Sequence, residues 1–379
     1  MSLIGRIASY LTEVQERLFP LLRETVGPLP EKDEHLAVVL GIIKVENFVF
    51  SWRGLPGRPL TERSALARSF IAKAVHNYPT TRMLIEALRT RPMLKHLCGW
   101  TGRIPSEATF SRAFAEFAAS GLPTRLHTAL IEAAHEDRLV GHIARDATAI
   151  EVPEKPQKKP PVAAPKPKRK RGRPRKGEEP PPKEPRRLAQ QAAGMSLEAM
   201  LADLPRQCDV GTKQNAKGFK DSWIGYKLHI DTADGDIPVA CILTSASVHD
   251  SQVAIPLAIM TNARLVNCYD LMDSAYDAPE IRAHSQTLGH VPIIDVNPRR
   301  DVAKKKAITQ ENKAQRAAGY RLAEDIRYGR RSSAERVNGN LKDNHGGTTV
   351  RVRGASKVEC HLMFGILVIA ALQIVRLVT

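Results

Sequence analysis

Four polar side chains near the C-terminus are spaced as chemistry would require. They are Tyr328, Arg331, Glu335 and Lys342, separated by steps of 3, 4 and 7 residues. On a helix, at about 100° per residue, they project within roughly 60° of one another. Val337 and Leu341 fall on the opposite side. A helix of this kind packs one face into a core and turns an acid, two cations and a phenol outward. That set suits metal-dependent phosphate transfer: the acid holds the metal and the cations hold the phosphates.

Two aspartates extend the set. Asp146 lies in Gly141–Ile150, which reads as a short buried strand, and Asp273 ends the apolar strand Leu265–Met272. Each acid alone has a structural role open to it. Asp146 could form a turn, Asp273 could cap the next helix, and Glu335 could pair with Arg331 one turn back. Together, in a basic chain, they form a carboxylate cluster. Such a cluster would hold two Mg²⁺ ions, roughly 3.5–4 Å apart. Asp250 reads as an N-cap ahead of a fourth metal ligand. Lys227 and His229 share a strand face that contacts either DNA or solvent, and Trp52, Trp100 and Trp223 read as core.

These residues need elements to position them. Residues 1–135 read as an all-helical domain, with helices over Ala65–His76, Thr81–Leu97 and from Ser106. Its role is DNA binding and dimerisation, or a plain bundle with a basic face. The first strand occupies 136–152. Residues 153–221 form an insertion dominated at first by Pro, Lys and Arg, which is expected to be extended and disordered. Within it, Arg171-Gly172-Arg173-Pro174-Arg175 resembles an AT-hook, a minor-groove binder of A/T-rich DNA. The alternative is a basic linker that touches phosphates without preference.

Order is expected to resume near Trp223. Two strands join at Asp234-Gly235, then helices and strands alternate through 222–355, and 356–379 forms a buried C-terminal helix. This order predicts an α/β fold: a ribonuclease-H-like mixed sheet with helices on both faces, in which the first and fourth strands are neighbours.

Lys and Arg number 57 against 40 Asp and Glu, a net charge of +17, so the partner is a polyanion, with nucleic acid ahead of a membrane surface. The five cysteines form no metal or disulfide pattern, which fits a reducing cytoplasm. No signal peptide is evident, and the longest apolar run, Leu362–Leu372, is short for a membrane span.

The spacing Tyr328-(2)-Arg331-(3)-Glu335-(6)-Lys342 resembles the YREK signature of bacterial insertion-sequence transposases with a DDE triad, of the insertion sequence 4 and insertion sequence 5 superfamily. Asp146-Ala-Thr and Asp273-Ser-Ala-Tyr-Asp are similar to that family's first and second acid motifs, and Trp223–His229 is similar to the strand between them. The resemblance implies that Asp146, Asp273 and Glu335 bind Mg²⁺, with Mn²⁺ able to substitute. It implies that Tyr328, Arg331 and Lys342 contact DNA phosphates. It further implies cleavage at transposon ends, strand transfer by the freed 3′-hydroxyl, a homodimer on double-stranded DNA, and a place in the bacterial cytoplasm at the nucleoid. Two other activities share these residues: a nuclease on the same fold, and a DNA-binding protein without chemistry. Asn297–Arg327 contains no Trp and only Tyr320 as an aromatic, so it departs from the flipped-base clamp of hairpin-forming relatives.

Overall fold

The computed structural model describes residues 3–18, 20, 29–49, 61–136, 138–157, 185–214, 218–299 and 301–378. The Arg171–Arg175 segment and Trp52 lie outside them.

Helices dominate the first 135 residues: α1 (Leu3–Glu13), α2 (Glu31–Ile43), α3 (Arg63–Val75), α4 (Thr81–Thr90), α5 (Pro92–Leu97), α6 (Glu107–Ala119) and α7 (Leu122–His135). The helix expected over Thr81–Leu97 is two helices. Pro92 starts the second, and Arg91 before it is extended, as a residue preceding proline prefers.

A mixed sheet follows, built from β1 (Leu139–Glu151), β2 (Asp209–Gln214), β3 (Lys220–Ala233), β4 (Ile237–Ser245), β5 (Val266–Met272) and β6 (Val291–Ile294). Across it the strands run β4–β3–β1–β5–β6, and β2 pairs with the first part of β3. The first three of these are antiparallel, while β5 and β6 run parallel to β1. Gly235 and Asp236 turn the β3–β4 hairpin with φ of 82° and 61°. Gly tolerates that conformation freely, and Asp is among the few other residues that do.

The sequence places the return of order near Trp223. The insertion is structured from Arg187 onward, in α8 (Arg187–Ala192), α9 (Leu197–Asp203) and β2. Short apolar contacts explain the difference. Leu204 joins Ala240, Ile242 and Leu257 in a small cluster, with Leu201 packed against it, and Leu188 packs near Tyr276 and Ile281. Composition averaged over the whole insertion hides these few anchoring residues.

The second half supplies α10 (Ala254–Asn262), α11 (Pro279–Thr287), α12 (Val302–Ala318), α13 (Ala323–Tyr328), α14 (Ser332–Asn344) and α15 (Ala355–Arg376). By length and composition α15 could cross a membrane, but 72% of its apolar window is buried inside the protein. A helix that is apolar all round belongs in a core. One side, with Phe364, Leu367 and Val368, meets Phe70, Phe117 and Leu126 of the N-terminal helices. Another, with Leu362, Met363 and Ile366, meets Leu228, Ile230, Val337 and Leu341. The helical region and the sheet therefore share α15. Gly365 permits the closest approach, since a Cβ there would stand 2.5 Å from the His345 carbonyl oxygen at the end of α14.

Candidate active site

The strand register brings the two aspartates together. Every β1–β5 pair is offset by 127 residues, from Leu139↔Val266 to Arg145↔Met272. The next step along both strands is Asp146 beside Asp273. Asp146 is within β1, opposite Ile230 of β3, and does not form a turn. Asp273 has left β5, and its Oδ1 accepts from the Ala275 N–H at 2.9 Å. Its carboxylate thus caps a short turn while facing the same end of the sheet.

Beneath them a buried ion pair ties three strands together. Arg145 Nε and Nη2 donate to Asp231 at 2.7 Å each, and Nη1 reaches Met272 Sδ at 3.4 Å. Thr261 Oγ1 donates to Asp231 at 2.7 Å. Arg145 and Asp231 are 2% and 0% exposed, so the pair is fully desolvated. Its geometry fixes how β1 sits between β3 and β5.

Helix α14 crosses this end of the sheet. Val337 and Leu341 are buried as their spacing predicts, at 1% and 0% exposure. Tyr328 does not share this helix. It ends α13, and a 3₁₀ turn over Gly329–Arg331 carries the chain into α14. Glu335 is exposed and accepts from Arg331 Nη2 at 2.5 Å. The ion pair one turn back is therefore formed.

Arg331 is the electrostatic hub. Its guanidinium interacts with Tyr328, Glu335, Asp146 and Asp273 together, and these raise its pKa against the opposing effect of burial. Asp146 has its pKa raised, first by burial and further by Asp273, while the Ala147 N–H, Arg331 and Lys213 pull it back. Asp273 is likewise raised, by burial and then by Asp250, against the Ala275 N–H, Arg331 and Lys213. Both acids are held where their negative charge is costly, and a cation would relieve that cost.

Three neighbours were not legible as site residues. Asn338 Nδ2 donates to Asp146 Oδ2 at 3.0 Å, while its buried Oδ1 has no partner among the described residues. Tyr276 is buried beside Asp250, Asp146 and Asp273, its hydroxyl also lacks a partner among the described residues, and burial holds its pKa well above the usual value. Lys213, on β2, is exposed, and its charge is felt at both aspartates. The signal for Asn338 was its place one turn beyond Glu335. For Lys213 there was none, because β2 was not expected.

Other expected roles change. His249, not Asp250, caps the 3₁₀ turn over Asp250–Gln252. Asp250 instead accepts from Lys227 Nζ at 2.9 Å. Lys227 also donates to the Val248 carbonyl, and His229 is fully buried against Thr244 Oγ1 at 3.0 Å. Lys227 thus braces the 248–250 segment, and the buried His229 ring lies 3.8 Å from Asp250. Trp100 is core as expected, while Trp223 is only partly buried.

Among the described residues no three His, Cys, Asp or Glu side chains are gathered closely enough to hold a metal ion. The donors nevertheless fit a hard divalent cation. One carboxylate stands within β1 and the other just past the end of the neighbouring β5, and the unpartnered Asn338 Oδ1 and Tyr276 hydroxyl are polar atoms that a hydrated ion could satisfy. Glu335 is instead paired with Arg331.

Family comparison decides what this arrangement belongs to. A Transposase DDE domain matches residues 189–371, and a Transposase domain (DUF772) matches 29–116. The chain belongs to the DDE transposases of bacterial insertion sequences. No curated protein and no solved structure matches it. In this transposase the DDE match includes Asp273 and Glu335 but begins after Asp146. The long insertion separates Asp146 from the rest, so its pairing with Asp273 rests on the strand register.

Proposed function

We propose that this transposase cuts DNA at transposon ends and joins the freed ends to target DNA, using Asp146, Asp273 and Glu335 as its metal-binding acids. The observation that carries the reading is the 127-residue register, which continues into the Asp146–Asp273 pair with α14 pinned above it through Asn338. The strand order β4–β3–β1–β5–β6 supports a ribonuclease-H-like core, formed by 136–152 and 222–355 around the insertion. Residues 1–135 would serve DNA binding and dimerisation, and 356–379 the shared core.

Mg²⁺, or Mn²⁺ in its place, would act as a Lewis acid on the scissile phosphodiester and stabilise charge on the attacking and leaving oxygens. The protein's own groups do the rest. Asp146 and Asp273 present ionised oxygens from a rigid sheet, and Asn338 fixes the Asp146 carboxylate. Arg331, released from Glu335, Lys342 and Lys213 supply cations for the phosphates beside the cut, and Tyr328 braces the same backbone. No side chain becomes covalently attached to DNA. Arg171–Arg175 would add minor-groove contacts. The protein would work as a homodimer on double-stranded DNA in the cytoplasm, at the nucleoid.

The test is a cleavage and strand-transfer assay with Mg²⁺ and labelled duplex carrying the DNA that flanks the gene. Cutting and joining that vanish in Glu335→Gln are expected. Cutting without joining would instead make the protein a nuclease. Binding without cutting would remove the chemistry altogether.

A further inference from the structure

A cavity of about 150 Å³ lies between the N-terminal helices and the chain that follows α14. Lys73, only 9% exposed, lines it. Among the described residues its ammonium has no ion pair and no hydrogen bond. Phe70, Phe114 and Phe364 form apolar wall, which cannot solvate the charge. The C-terminal end of α3, where Lys73 sits, favours a cation by a fraction of what burial costs. Burial accordingly pulls the Lys73 pKa down to about 8. Near neutral pH the ammonium is still charged and lacks a counter-ion.

The other polar groups show what would neutralise it. His345 Nδ1 and His361 Nε2 lie 3.0 Å from the carbonyl oxygens of Ala74 and Gly346. A carbonyl only accepts, so these nitrogens carry the protons and both rings are committed as donors elsewhere. Burial and Lys73 hold the His361 pKa down to about 3, so that ring adds no positive charge. Tyr78 OH accepts from Arg91 Nη1 at 2.9 Å, which leaves its own proton free to donate. Ser111 and Thr81 add two more hydroxyls. Thr81 and Glu107 are the first residues of α4 and α6, so two helix N-termini open onto the cavity. Among the described residues Glu107 is the only acid in the lining. It is exposed at the mouth and forms no ion pair with Lys73.

We propose that this cavity binds a single phosphate group through Lys73 and the hydroxyls of Tyr78, Thr81 and Ser111. A largely buried cation and several hydroxyls lining one cavity suit a tetrahedral oxyanion with many acceptor sites. The group is either a DNA backbone phosphate reaching in at the mouth or free inorganic phosphate. Because His345 ends α14, a bound phosphate would brace the N-terminal helices against the helix that carries Glu335. The proposal does not depend on the carboxylate assignment, and Glu335→Gln should bind phosphate like the unaltered protein.

Thermal unfolding in inorganic phosphate, against chloride at matched ionic strength, reads the site. Phosphate is expected to raise the midpoint by about 1 °C or more in the unaltered chain and not in Lys73→Met. The salt dependence of duplex binding then separates the sources. If DNA fills the site, Lys73→Met also lowers the slope of log K against log salt by about one. If the slope is unchanged while the thermal response is lost, the ligand is free phosphate. An equal thermal response in both proteins, or none in either with equal slopes, overturns the proposal. Tyr78→Phe with Ser111→Ala keeps the charge and removes two donors, and it gives the same reading should Lys73→Met not fold.

Discussion

Asn338 holds Asp146 from α14, and removing it should show how far that helix sets the proposed metal binding. The bond from Nδ2 to Asp146 Oδ2 is 3.0 Å long and ends on a carboxylate. A hydrogen bond to a charged group contributes about 1.5–3 kcal/mol. At 1.4 kcal/mol per tenfold, that is roughly 10- to 100-fold in affinity. Loss of a group that orients a metal ligand has an effect of the same size, about 10–100-fold. Asn338→Ala should therefore raise the Mg²⁺ concentration for half-maximal DNA cutting by one to two orders of magnitude, while saturating Mg²⁺ restores most of the rate. The assay is a Mg²⁺ titration of cleavage, with urea unfolding as a control on the fold. An unchanged half-maximal concentration, or an equal loss of rate at every Mg²⁺ concentration, would refute the reasoning.

Two further outcomes follow from the buried charges. Both aspartates have raised pKa values in the metal-free fold, so each disfavours folding once ionised. The sign follows: stability is lost as pH rises from the unfolded value of 3.8 through the raised folded value. In chelator, Asp146→Asn should thus be more stable than the unaltered protein at pH 7, lose that advantage as pH falls toward 3.8, and lose it at pH 7 when Mg²⁺ is added. Equal stabilities throughout would show that burial does not strain the acid. Arg145→Met leaves the fully buried Asp231 without its counter-charge and should cost about 3–5 kcal/mol in urea unfolding. Adding Asp231→Leu should recover part of that loss, and a purely additive double variant would contradict the pairing.

Much of the sheet and of α14 was legible in the sequence because the signals there are local. Trp223–Asp231 alternates, Ile237–Thr244 follows a Gly turn as the return strand, and the strands and hairpin fall where expected. The buried side of α14 followed from Val337 and Leu341 alone. The failures share a cause in tertiary contacts. Lys227 and His229 look like a polar strand face, but Lys227 bonds to the 248–250 segment and His229 is buried against Thr244 of β4. The structured part of the insertion is held by single apolar residues such as Leu204, which average composition hides. The β1–β5 register could not be counted from sequence, since the offset of 127 residues spans the insertion. The same gap leaves Asp146 outside the family match while the fold sets it beside Asp273.

The central claim is that Asp146 and Asp273 are metal ligands of one DNA-cutting site, and metal rescue tests it most directly. Asp146→Cys and Asp273→Cys each replace a hard oxygen donor with a softer sulfur, which Mn²⁺ accepts better than Mg²⁺. Cleavage of the labelled transposon-end duplex would be measured for both variants in each metal. Loss of cutting in Mg²⁺ with recovery in Mn²⁺ is the predicted result. Full cutting in Mg²⁺ by the Asp146 variant would contradict the account, because the register would then have brought together two acids of which only one takes part.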